Sequence, residues 1–365
     1  MPVGFMLQVA FAPAPQPIVE AVEEIVVDSS VEEASAMRVR FGIAQTELGD
    51  WTVLTEDLFR PLVPVTVRVQ TGALPEAIIT AYVSTQDATY GDVAGTSTLE
   101  VSGLDATLLM NLHEKVMLWA NLPDAAIATS IFGQHTLVPM VQPTAPTLVE
   151  PEGSIIQRGT DIRFLRRLAR RNGFDCYVQP EPLTGVDQGF FRPRQPVGLP
   201  QAVLNVAMGD ETNVTGFRIR YDMTQPTSVV AANLDTTTKA PQPALAPASL
   251  QPPMGLEPTL ARVLPPPIVR PVDTGLVRTS ELQSLAQAIA DQSSYAIVAE
   301  GEVGAAVGIL RPGGTVNVRG AGRLYNGTYF VTRVTHTITR DDYKQQFEAR
   351  RNAATMTGAE VFVDL

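Results

Sequence analysis

Few residues in this sequence have the types and spacing that covalent chemistry needs. The adjacent carboxylates are Glu23-Glu24, Glu32-Glu33 and Asp341-Asp342. Neighbours on a strand point to opposite faces, so none of these pairs can serve alone as a general acid and base. Solvated surface or a turn is the expectation for them. His113, His135 and His336 are far apart in the sequence, and no metal-ligand cluster is read around any of them. His336 falls in the middle of a predicted strand, where packing or a hydrogen bond is the simpler role. Cys176 is the single cysteine, so no intrachain disulfide and no multi-cysteine zinc site can form. It follows a predicted helix on a strand and reads as a small buried hydrophobe. Gly313-Gly314 and Gly320-Ala321-Gly322 do not stand between a strand and a helix in a phosphate-cradling pattern, and read as turns. No catalytic, metal or cofactor site is predicted.

The remaining chemistry is cationic. Arg163, Arg166, Arg167 and Arg170 fall on one face of a predicted helix over 161–172. Ile162, Leu165, Leu168 and Ala169 form an apolar stripe on the other face, with Phe164 beside it. Thr160 or Asp161 can cap the first free N–H groups, and Gly173 can take the left-handed conformation that stops the helix. The arginine face has two readings. One is a solvated surface. The other is a docking surface for acidic groups, since arginine favours carboxylate pairing and interfaces. At a net charge of −11, a neighbouring copy of the same chain could carry those groups.

The elements that must position this helix are mostly strands. Val39, Phe41 and Ile43 alternate, as do Val65, Val67 and Val69, then Ile78 to Val83 and Ser97 to Val101. Residues 1–104 therefore read as a small β barrel or sandwich. Asp105 opens a predicted helix through Leu108, Leu109, Leu112 and Val116. Pro123-Asp124 starts another, through Ile127 and Ile131 to Gly133. Residues 136–150 read as loop. The helix 161–172 completes an α/β region over 105–200. Residues 201–239 and 305–352 read as a second β part, with Phe217, Ile219 and Tyr221 alternating in one strand and a closing hairpin turning at Arg340-Asp341-Asp342. Residues 240–304 hold a Pro-rich arm or linker plus a helix. In 240–271 roughly one residue in three is proline, which rules out a helix or a central strand there. Ser280 and Gln283 make a capping box for the helix that follows. Residues 353–365 are a tail. The fold class is α+β, mainly β, and no internal repeat is visible.

With 365 residues and only 18% charged, a substantial core is available. The acidic balance argues against nucleic-acid specificity. No run of apolar residues is long enough for a membrane span, so no stable membrane insertion is expected. The first residues lack the basic region of a signal peptide.

The run Gln157-Arg158-Gly159-Thr160-Asp161-Ile162-Arg163-Phe164-Leu165-Arg166-Arg167-Leu168-Ala169, ending Asn172-Gly173-Phe174, resembles a phrase of the phage late control D family, to which the hub part of VgrG-type proteins belongs. Three more stretches are similar in the same order: Val101 to Thr107, Pro123 to Ala128, and Gly320 to Arg351 with Tyr325 to Val331 and Val334-Thr335-His336. The resemblance spans roughly 95–352. It implies a homotrimeric baseplate hub, each subunit with two tube-like β domains, so that three chains match a six-fold inner tube and a three-fold spike. It also implies partners: an inner tube protein, a spike protein and baseplate wedge or LysM-type adaptors. VgrG-type chains continue into an OB-fold and a β-helical spike, so the spike is expected to be a separate protein. A product made in the bacterial cytoplasm and assembled into a phage tail or contractile injection particle follows. The competing readings are a tail-associated cell-wall hydrolase and a peripheral baseplate adaptor.

Overall fold

A computed structural model describes residues 4–93, 95–144, 154–194, 198–234, 239–270 and 279–362. The first part of the chain forms β1 (Gly4–Val9), β2 (Ala12–Pro13), α1 (Gln16–Glu20), β3 (Val22–Ser30), β4 (Ala36–Gly42), β5 (Pro64–Gln70), β6 (Glu76–Thr89) and β7 (Thr98–Leu104). The period-2 pattern decides which side is buried. Met37, Val39 and Phe41 of β4 are buried while Arg38 and Arg40 are exposed. With Val65, Val67, Ile79, Leu99 and Val101 they build one hydrophobic core.

The middle part is α2 (Thr107–Met110), β8 (Glu114–Ala120), α3 (Asp124–Gln134), β9 (Val138–Val141), β10 (Ser154–Thr160), α4 (Asp161–Asn172), β11 (Phe174–Pro180) and β12 (Asp187–Pro193). Ile127, Ile131, Phe132, Ile162, Phe164, Leu165, Leu168 and Phe191 share its core. Two expectations fail here. The helix from Asp105 ends at Met110, and Leu112 and Val116, read as part of its apolar face, are exposed. The chain enters β8 instead, because β10 pairs with it from Ser154↔Ala120 to Thr160↔Glu114. Tertiary pairing outweighs the local helical spacing. In the segment read as loop, residues 138–141 pair in parallel with β12, and residues 145–150 lie outside the described residues.

The last part is β13 (Val203–Asn205), β14 (Val214–Tyr221), β15 (Ser228–Leu234), β16 (Pro241–Ala246), β17 (Glu257–Pro258), β18 (Ile268–Val269), α5 (Thr279–Ser294), β19 (Ile297–Gly304), β20 (Thr315–Arg319), β21 (Gly327–Thr339), β22 (Tyr343–Arg351) and β23 (Ala353–Ala354). Proline-bearing β16 is an edge strand, where a missing N–H can be tolerated. α5 covers this small sheet through Leu282, Ala286 and Ala290 against Val229, Ala231, Ala244 and Ala246. The Ser280 side chain of the expected capping box lies outside the described residues. Gln283 instead bonds the backbone N–H and C=O of Leu245, at 3.1 and 2.8 Å.

The fold is mainly β with helices packed on it; thirteen strands form one sheet, whose path runs β14-β19-β22-β21-β3-β4-β7-β6-β5-β1-β2 with β20 beside β21 and β13 beside β20, and the others form four smaller sheets. No barrel closes among the described residues; the two expected barrels are halves of this single open sheet. The halves repeat each other. β5-β6-β7-β4-β3 has its counterpart in β20-β21-β22-β19-β14, in the same chain order. Tyr82 pairs with Pro64 on one side and Leu104 on the other; Phe330 pairs likewise with Thr315 and Arg350. A bulge follows each, between Val83 and Thr85 and between Val331 and Arg333. In that register Arg38 and Arg40 stand where Glu300 and Glu302 stand. The side chains at these equivalent positions have opposite charge.

Candidate assembly interface

α4 forms where its pattern predicts. Gly173 at φ +68° ends it, its N–H reaching the carbonyls of Ala169 and Arg170. Neither expected cap bonds the helix. Thr160 donates from Oγ1 to Asn111 at 2.9 Å. Asp161 accepts instead from Lys115 Nζ (2.6 Å) and Gln157 Nε2 (2.7 Å), with His135 Nε2 at 2.9 Å. Burial pushes this carboxyl up, but the bonds from His135, Lys115 and Gln157 outweigh burial and hold it at about 2.

The four face arginines are not equivalent. Arg163, Arg167 and Arg170 are exposed, whereas Arg166 is half-buried. Arg163 lies 3.7 Å from Glu114. Arg167 donates to the Ile156 carbonyl at 3.1 Å and sits over the Phe164 ring. Arg170 Nε reaches the Arg166 carbonyl at 3.4 Å. Two further ion-pair clusters in this region involve arginines that sequence reasoning missed. Arg171 grips Asp124 in a bidentate pair, joined by Asn172 Nδ2 at 2.6 Å. Arg194 binds both oxygens of Asp175 and reaches Glu32 at 2.6 Å. No local signal marks these pairs, because their partners are distant in sequence.

The candidate catalytic residues are separated. His336 is buried beneath Tyr343, its Nδ1 2.9 Å from the phenol oxygen. Burial, with Arg311 adding, lowers it to about 3. Burial pushes the Cys176 thiol up to about 12. Among the described residues no three His, Cys, Asp or Glu side chains gather as metal ligands.

The two halves of the sheet meet at one seam. β21 pairs with β3 from Arg333↔Ser30 to Thr339↔Glu24. Arg333 makes a bidentate pair with Asp28, and Arg340 Nη2 donates to the Glu20 carbonyl at 2.9 Å. By the repeat, β6 is the counterpart of β21 and β14 of β3. Yet from Thr85 to Thr89 β6 is paired only with β7, and β14 only with β19. Among the described residues these are two open strand edges. They carry opposite charges, Asp87 on one and Arg218 and Arg220 on the other, all exposed. Were the seam's register carried across these edges, Asp87 (counterpart of Thr335) would face Arg220 (counterpart of Asp28).

Several solved structures share this fold. A tail protein from Neisseria meningitidis MC58 aligns at TM-score 0.65 and 14% identity, over 96% of this chain and 97% of its own. The 43 kDa tail protein of prophage MuSo2 from Shewanella oneidensis gives the same score and identity, over 96% and 98%. The c3393 protein of Escherichia coli, a type VI secretion component described as similar to T4 tail proteins gp27 and gp5, aligns at 0.57 and 12%, over 94% and 76%. At these identities the likeness is one of fold. No curated protein matches. Residues 6–340 match the family model described as the Alg8 N-terminal domain, and the chain belongs to that family.

Proposed function

We propose that this chain is a non-catalytic hub subunit of a phage tail or contractile injection particle, of the late control D type, working as a homotrimer between a six-fold inner tube and a three-fold spike. One observation carries the reading: two repeated modules joined edge to edge at β3–β21, with the counterpart edges of β6 and β14 left open. Joining those edges between copies would repeat the seam six times in three chains, alternately within and between chains. The two half-sheets would then close as a ring, which one chain does not do alone. Asp87 would pair with Arg220 of the next copy, while Arg163, Arg167 and Arg170 remain exposed for acidic groups of a neighbour. The inner tube protein, a separate spike protein and wedge or LysM-type adaptors are the partners this role requires. Assembly would follow synthesis in the bacterial cytoplasm. Tail proteins with the same fold over nearly their whole length support the reading. Mass measurement in solution tests it: the expected species has three times the 39.3 kDa chain mass. A persistent monomer at high concentration, with no tube or spike protein co-purifying, overturns it.

A further inference from the structure

A cavity of about 670 Å³ opens where the C-terminal half of α4, β11, α5 and the ends of β3 and β22 meet. Its wall carries four guanidinium groups, Arg166, Arg170, Arg194 and Arg350, and two carboxylates, Glu32 and Asp175. The acids are already committed. Asp175 is occupied by Arg194, and Glu32 lies between Arg194 at 2.6 Å and Arg350 at 3.6 Å. Burial pushes the Glu32 carboxyl up, but Arg194 and Arg350 outweigh burial and keep it below its ordinary value. Arg350 also has Glu348 at 2.8 Å. Two cations are left over. Arg170 has no carboxylate within ion-pair distance among the described residues, and its Nε bonds only a backbone carbonyl. Arg166 has its Nε and Nη2 buried with no hydrogen-bond partner. Asp105 attracts it through space, but that carboxylate is bonded by the Ser35 and Thr107 N–H groups and the Thr107 hydroxyl.

Buried N–H groups without acceptors are costly, and a guanidinium's planar fork suits two oxygens of one group. The volume suits a small molecule. We propose that this cavity binds a multiply charged oxyanion, a phosphate or a polycarboxylate, held by Arg166 and Arg170 against a wall fixed by Arg194 and Arg350. Water could accept from Arg166 but would leave the surplus charge uncompensated. The ligand would join three parts of the chain: the α/β region, the 222–296 insertion and the seam sheet. The inference does not depend on the assembly reading.

Calorimetry and thermal unfolding of the full chain test it, with inorganic phosphate and citrate as probes against chloride at equal ionic strength. At least one probe is expected to bind at one site per chain and raise the melting temperature. Binding of phosphate alone assigns a phosphoryl ligand, and binding of citrate alone a carboxylate ligand. Arg166→Gln and Arg170→Gln should each weaken binding tenfold or more. Arg163→Gln, on the exposed side of the same helix, should leave it unchanged. If neither probe exceeds chloride, or Arg163→Gln weakens binding as much as the other two, the proposal is overturned. Arg170 is exposed, so its variant keeps the test valid should Arg166→Gln fail to fold.

Discussion

Asp187 is the residue whose environment opposes its ordinary charge most openly. Its Oδ1 is buried without a partner. Burial, with Asp105 adding, raises its pKa to about 7. Between about pH 4 and pH 7 the folded chain therefore holds a proton that the unfolded chain has released, so this residue makes stability fall as pH rises through that window. Asp161 does the reverse at its own window: held at about 2, it contributes stability above about pH 4 that is lost as pH falls towards 2. Asp187→Asn should stabilise the protein at pH 8 by about 1–2 kcal/mol, discounted for partial exposure, and flatten the change between pH 5 and pH 8. Denaturant unfolding at both pH values would measure this, and a variant with the wild-type slope refutes it. At this scale the sequence showed the α4 arginines and the burial of Cys176. It hid the pairing of Arg171 with Asp124 and of Arg194 with Asp175, since each needs the fold to bring its partner near.

Element by element, strands and the most amphipathic helix were legible because each has its own period. α4 had an apolar stripe, a polar face and a stop residue, and its observed range, Asp161–Asn172, matches the expected one. β8 was not legible, because Leu108, Leu109 and Leu112 mimic helical spacing and only β10 reveals the strand. Gly173 shows how tightly the α4 stop is specified. Its φ is +68°, and a Cβ there would stand 3.2 Å from the Ala288 Cα and 3.3 Å from its Cβ, on α5. Gly173→Val should cost about 2–3 kcal/mol and loosen the α4–α5 contact. A loss under about 0.5 kcal/mol in chemical denaturation would show that the turn is not strained.

For the whole molecule, composition and alternation identified a mainly β chain, but the duplication of its sheet lies in bulges and pairing order, which side-chain identity does not record. The open edges follow from the same geometry. If β6 and β14 join copies, Asp87→Arg should weaken the trimer roughly tenfold, about 1.4 kcal/mol, and Arg220→Asp should do the same. The double variant should recover most of the loss, because the pair is merely exchanged. Sedimentation across a dilution series reads the outcome, and additive losses in the double variant would place the contact elsewhere.

Residues 31–35 are all that separates β3 from β4, whereas residues 222–296 intervene between their counterparts β14 and β19. Likewise the helices of 105–202 leave the sheet once per chain, after β7. A ring of such chains would have six staves of the same topology but only three sets of appendages. A protein seated on the staves would meet a hexagon, and one seated on the appendages a triangle. Both numbers would be written into one polypeptide by the unequal lengths of its connections.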